Sequence, residues 1–204
     1  MNLFKKIRIS ICFAIIVSII YSVISFAKTS EKIRSEVLRL HVIANSDSGI
    51  DQNLKLRVRD AVLEEGKDIF DGSVNIYNAV EKITPNLKII EKTAKDIIAE
   101  NGFDYDVKVS ISREYFTTRT YETVTLPAGK YLALRIVIGE GKGHNWWCVM
   151  FPPMCLPAAY EKKEISSVLN SKETKLVSKN PKYEMRFKIV ELVEEFRERI
   201  KENN

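Results

Sequence analysis

Hydrophobic positions recur along the chain in three rhythms, and each predicts a different kind of element. The first is an almost unbroken apolar run. Ile9 to Ile24 is interrupted only by Ser10, Ser18 and Ser22, and no charged residue occurs from Ile9 to Ala27. The second is a period of two. Val37 to Ala44 alternates, with Leu38, Leu40 and Val42 on one side and Arg39 and His41 on the other, which predicts a strand with one face in water. Asp106 to Ser112 turns Val107, Val109 and Ile111 inward, and Thr120 to Leu126 is rich in β-branched and aromatic residues. Tyr131 to Ile138 is apolar except for Arg135, the pattern of a strand buried on both faces. Asn145 to Phe151 places Trp147, Val149 and Phe151 on one face and Trp146, Cys148 and Met150 on the other. Both faces are apolar, so this strand is expected to be central or in contact with a partner.

The third rhythm is helical. Asp51 to Glu65 carries Leu54, Val58, Ala61 and Val62 as a buried stripe, with Lys55, Arg59, Glu64 and Glu65 expected in water. Ser48 and Asp51 have the spacing of a capping box after the Asn45–Gly49 turn. Asn75 to Glu100 holds apolar residues at spacings of four and three, interrupted at Pro85. Thr84 as N-cap and Pro85 as first helical residue predict a break into two helices there. Asn101-Gly102 is the stop signal. The segment 160–182 reads as a polar connection. Met185 to Lys201 reads as an amphipathic helix packed on the sheet, with a surface for a partner helix as the alternative. Together these elements predict an α/β fold of the α+β kind. It is a single extracytoplasmic domain, a mixed or mainly antiparallel sheet packed with helices, preceded by an N-terminal signal or anchor segment. The expected boundaries are 1–27 for the leader and 28–204 for the domain.

Lys5, Lys6 and Arg8 make a positive flank before the apolar run, and Ser25-Phe26-Ala27 supplies small residues three and one before a cut after Ala27. That is the layout of a secretory signal peptide. An uncleaved anchor is the alternative, because the run is just long enough to span a bilayer. Either way the positive flank stays inside and the remainder crosses the membrane. The formal net charge is +5, but without Lys5, Lys6 and Arg8 the chain has 29 basic against 27 acidic residues, so a nucleic-acid footprint is not expected. With 204 residues, 45% of them hydrophobic and 29% charged, the chain can bury a core without help from a metal.

Candidate chemistry gathers between Gly139 and Cys155, which contain both tryptophans, two of the three cysteines and one of the two histidines. His144, Cys148 and Cys155 have ligand chemistry but no finger spacing, and a structural zinc site wants four ligands. A Cys148–His144 nucleophile pair, with Asn145 as orienter, fails on reach, because a regular strand separates the two by about 13 Å. There is no phosphate loop, Gly-x-Ser-x-Gly or His-Glu-x-x-His. No catalytic residue, metal or cofactor is therefore expected. Outside the cytoplasm Cys148 and Cys155 read as a disulfide, with two reduced buried thiols as the alternative. The glycine-rich loop 139–144 joins two packed strands and is expected to be flexible. Trp146, Lys142, His144 and Asn145 are the candidate partner contacts.

Three blocks resemble the stage II sporulation protein R family. They are Gly-x-Gly-x-Asn-Trp-Trp-Cys-Val-x-Phe-Pro-Pro-x-Cys, the Leu-Arg-Leu-His-Val-Ile-Ala-Asn-Ser-Asp-Ser run from Leu38 with the helix start after it, and Leu-Pro-Ala-Gly-x-Tyr-x-Ala-Leu-Arg-Ile-x-Ile-Gly from Leu126. The resemblance implies a secreted signal of endospore formation rather than an enzyme. Such a protein is made in the forespore and exported into the space between the forespore and mother-cell membranes. Its implied partner is the membrane-embedded aspartic protease that processes pro-sigma-E in the mother-cell membrane. The residues alone leave an exported hydrolase acting on cell wall or peptides as the alternative.

Overall fold

In the computed structural model the described residues are 3–70, 72–121, 124–154, 168–178 and 191–192. The chain opens with α1 (Leu3–Ser35), followed by β1 (Leu38–Ile43) and α2 (Gly49–Phe70). Then come α3 (Ile76–Ile83), a 3-10 turn (Thr84–Asn86) and α4 (Leu87–Glu100). The strands β2 (Val107–Phe116), β3 (Arg119–Tyr121), β4 (Val124–Leu126), β5 (Gly129–Ile138) and β6 (Asn145–Phe151) follow, and α5 (Ser171–Val177) comes after them. The expected C-terminal helix over 185–201 lies outside the described residues except for Glu191 and Leu192, which are helical.

Four strands form a mixed sheet in the order β2-β5-β1-β6. β1 runs parallel to β5 and antiparallel to β6, and β2 is antiparallel to β5. A parallel neighbour needs a crossover, and α2, α3 and α4 lie within the long connection from β1 to β5. Their apolar stripes (Leu54, Val58 and Val62 on α2; Ile90, Ala94 and Ile98 on α4) close one face of the sheet over Leu40, Val42, Leu134 and Ile136. The helix break falls where Pro85 predicts it, but Thr84 does not cap α4. Its hydroxyl donates to the Val80 carbonyl at 2.6 Å and so belongs to the end of α3.

The opposite face is where the structure departs from the sequence reading. β1 is buried along its whole length, so Arg39 and His41 do not face water. A second apolar layer covers them in part. Phe116, Tyr131, Ala133 and Val149 of the sheet pack with Phe26 and Ile33 of α1, Val124 and Leu126 of β4, and Leu176 and Val177 of α5. Alternation shows that a residue lies on the second face, but it does not show what lies beyond that face. The Thr120–Leu126 segment is not one strand of the sheet but the β3–β4 hairpin, part of this covering layer. A register shift between Leu38 and Arg39 lets Phe151 pair with Leu38, so Phe151 joins the helix-side core with Cys148 and Met150 rather than following Trp147. The 160–182 segment is not simply a connection. It contains α5, started by a capping box in which Asn170 and Glu173 exchange hydrogen bonds.

The polar stretch from Thr29 to Ser35 is helical. α1 continues through it as one helix, and its last turns dock on the second face. Ser30, Ile33 and Arg34 are buried. Arg34 donates to the Ala128 carbonyl at 3.0 Å, and Lys32 pairs with Glu173 of α5 at 2.9 Å.

Candidate functional site

The turn after β1 and the glycine loop after β5 interlock, because parallel strands bring their C-terminal ends to one edge of the sheet. Backbone bonds hold them together: Lys142 N–H donates to the Asn45 carbonyl (3.1 Å) and Gly143 N–H to the Ala44 carbonyl (2.9 Å). Side chains complete the clasp. Asn45 Oδ1 accepts from Glu140 N–H at 3.0 Å, and Asp47 Oδ1 accepts from His144 N–H at 2.6 Å and from the His144 ring. Lys55, expected in water, is buried instead, and its ammonium donates to the His144 carbonyl at 2.8 Å and to Gln52 Oε1. The loop is thus pinned rather than flexible. Gly143 is required by closeness, since a Cβ there would lie 2.2 Å from the Ser46 carbonyl oxygen.

Asp51 anchors the clasp from below. Its carboxylate accepts from Ser46 Oγ at 2.5 Å and Asn45 Nδ2 at 2.9 Å. The Ser46 hydroxyl, with help from Asn45, Tyr105 and Ser48, holds it below the usual carboxylate range against the opposing effect of burial. Asp51 N–H donates to Ser48 Oγ at 3.1 Å, one arm of the expected capping box. Asp47, which is exposed, is also lowered, first by the hydrogen bond from the His144 ring.

Beyond the clasp the second face opens into a recess of about 540 Å³ lined by Asp47, Arg119, Lys142, His144, Asn145 and Trp147. Its floor is Trp147. The indole stacks on His41 with ring centroids 3.8 Å apart and meets Phe116 edge-on at 4.6 Å. His41 Nε2 donates to Asn145 Oδ1 at 3.0 Å, and burial lowers its pKa, partly opposed by Asn145 and Glu114. Behind Trp147 lies Arg39, wholly buried, with its guanidinium carbon 4.2 Å from the Phe116 centroid and 4.9 Å from that of Tyr131. Arg39 Nε donates to the Cys148 carbonyl at 3.0 Å and Nη2 to the Tyr121 hydroxyl. Nη1 has no hydrogen-bond partner among the described residues, and burial lowers the Arg39 pKa.

The candidate contacts are therefore divided. Lys142, His144 and Asn145 share the recess. Trp146 lies on the other face, half-buried against the helices, with the Arg59 guanidinium 4.3 Å from its ring. Cys148 is buried and disulfide-bonded, away from the exposed His144, while Cys12 is free. Cys155 lies outside the described residues. Among the described residues no group of three or more His, Cys, Asp and Glu is arranged to hold a metal ion. Sequence reasoning missed Arg39, His41, Arg119 and Trp147 as one cluster. The available signal was the aromatic content of 115–131, which is enough to cover a second face.

Residues 34–161 match the family model described as stage II sporulation protein R. Stage II sporulation protein R of Bacillus subtilis (strain 168) is similar to this chain, with 38% identity over 123 residues, 60% of the chain and 55% of that protein. The chain thus spans about half the length of this relative. No solved structure matches. The matched region takes in every strand among the described residues, the clasp and the recess, and starts within the docked end of α1. The chain belongs to the stage II sporulation protein R family.

Proposed function

We propose that this protein is an exported signal of endospore formation. It is made in the forespore and acts in the space between the two membranes, by contact with the membrane-embedded aspartic protease that processes pro-sigma-E. The observation that carries the sporulation role is the family match over 34–161. Export is supported by α1, which exposes a stretch of mean hydropathy 2.5 near the N-terminus. Action by contact is supported by the clasp, which fixes Lys142, His144 and Asn145 on one rigid edge as a rigid scaffold holds a recognition loop. Trp146 is the fourth candidate contact, on the opposite face of β6. The rival hydrolase built on Cys148 is disfavoured, because a sulfur held in a disulfide is no nucleophile.

The experiment is co-expression with the protease and its pro-sigma substrate in a host that lacks both. Wild-type protein triggers processing, and Lys142→Glu or Trp146→Ala, if still folded and exported, reduces it. Processing that does not depend on this chain would sink the reading. Turnover of peptidoglycan or peptides by the purified protein would favour the hydrolase. We further propose that Cys148 pairs with Cys155. Closing an eight-residue loop restricts the unfolded chain by about 2.5 kcal/mol. The unreduced peptide should gain about two hydrogens in mass on reduction, and full thiol labelling of the unreduced, unfolded protein would rule the bridge out.

A further inference from the structure

The charges around the recess are unevenly committed. Lys142 pairs with Glu140 at 2.7 Å, and His144 pairs with Asp47. Deeper in the same face, Glu114 sits between His41 and Arg135, 3.9 and 3.7 Å away. Glu140 and Glu114 thus each face a cation, and Asp47 is engaged by the His144 hydrogen bonds and the charge of Lys55. Arg119, on the first strand of the hairpin, is exposed on the rim, and its side chain has no hydrogen-bond or ion-pair partner among the described residues. Arg39 adds a second positive charge from below. It is fully buried and carries no carboxylate partner among the described residues. It is linked to the floor of the recess through Tyr121, whose hydroxyl also lies 3.5 Å from the Trp147 carbonyl oxygen. A cation held in low dielectric is poorly screened, so its field reaches the recess beside it. An aromatic floor with a free guanidinium at its edge suits a carboxylate flanked by an apolar side chain.

We propose that the recess receives an acidic segment of the partner protein, with a Glu or Asp carboxylate on Arg119 and the neighbouring apolar side chain on the indole of Trp147. This rests on the reading that the protein acts through a protein contact, and it names the chemistry of that contact. Arg119 is the residue to change, because its side chain is exposed and it joins the fold through its backbone pairing with Leu126. Trp147 packs on His41 and Phe116, so its replacement would confound binding with folding.

The test uses the full chain in detergent and a fluorescein-labelled, end-blocked peptide of alternating Glu and Leu, read by anisotropy. The wild-type protein should bind it at least tenfold more tightly than the same peptide with Gln for Glu. Arg119→Glu should lose at least tenfold, Arg119→Lys should retain most of the binding, and about 0.5 M salt should weaken it. Equal binding of the Glu and Gln peptides, or of wild type and Arg119→Glu, overturns the proposal. If removal of residues 193–204 strengthens peptide binding, the occupant is the chain's own C-terminal segment, and the partner assignment is overturned. Co-expression separates this from the proposed function. Processing triggered equally by wild type and Arg119→Glu overturns the recess and leaves the function standing. Absence of processing with wild type overturns the function, while the peptide measurements still decide the recess.

Discussion

At the scale of single residues, the second face is governed by two buried bases that alternation assigns to water. Arg39 persists there because three aromatic rings, a carbonyl and a hydroxyl replace its hydration; among the described residues no acid neutralises it. His41 persists by staying neutral. Its pKa lies below the ordinary value near 6.5, chiefly through burial, so in the folded state it resists a proton that the unfolded chain accepts. The unfolded state therefore binds more protons once pH drops below about 6.5, and stability falls as pH is lowered through that value. Glu114 and the Asn145 hydrogen bond soften the effect, while Arg135 reinforces it. Urea melts between pH 7.5 and 5 should show this loss. His41→Phe, which keeps a ring against Trp147, should flatten it; an unchanged slope in that variant would assign the dependence to other groups.

At the scale of elements, the clasp between the 45–48 turn and the 139–144 loop makes its own prediction. Gly143→Ala forces a Cβ to within 2.2 Å of the Ser46 carbonyl oxygen and 2.8 Å of the Ala44 Cβ, and should cost about 1–3 kcal/mol. Gly49→Ala, in the first turn of α2 with nothing within 4 Å, should be neutral or slightly stabilising. Equal effects in thermal melts would show that the loop relaxes freely. The same clasp marks the boundary of what was legible. The helices α2 to α4, the break at Pro85, the two-sided burial of β5 and the faces of Trp146 and Trp147 all follow from local periodicity and turn chemistry. The pairing of two loops about 95 residues apart does not, because Asn45, Asp47 and the glycines look locally like ordinary turn residues. For the same reason the sequence reading singled out Lys142, His144 and Asn145 as candidates but took their loop to be flexible, and placed Lys55 in water. The capping-box spacing of Asn170 and Glu173 was a local sign of the helix 171–177 that the sequence reading passed over, whereas its packing against β4 was not legible locally.

At the scale of the whole molecule, the question is where the leader ends and the domain begins. α1 is one helix, exposed and apolar along its first two thirds and docked along its last third. The expected cut after Ala27 falls inside it, one residue past Phe26, which is buried in the second core with Ile33, Phe116 and Leu176. Cutting there keeps Ser30, Ile33, the Arg34 bond to Ala128 and the Lys32–Glu173 pair, but removes Phe26. Losing a buried Phe at the edge of a core costs about 3 kcal/mol. A chain starting at Lys28 should therefore fold, yet be less stable than one starting a few residues before Phe26. Phe26→Ala in the longer chain should reproduce most of the difference. N-terminal sequencing of the exported protein then decides which form is made. Lys28 at the N-terminus means that the signal works with the second core trimmed, and that processing precedes docking of the helix. An intact Met1 on a membrane-bound product means that α1 is a retained anchor. In that case docking of 26–35 leaves no flexible linker between bilayer and domain, and the recess is held at a fixed height and angle above the membrane it was exported across.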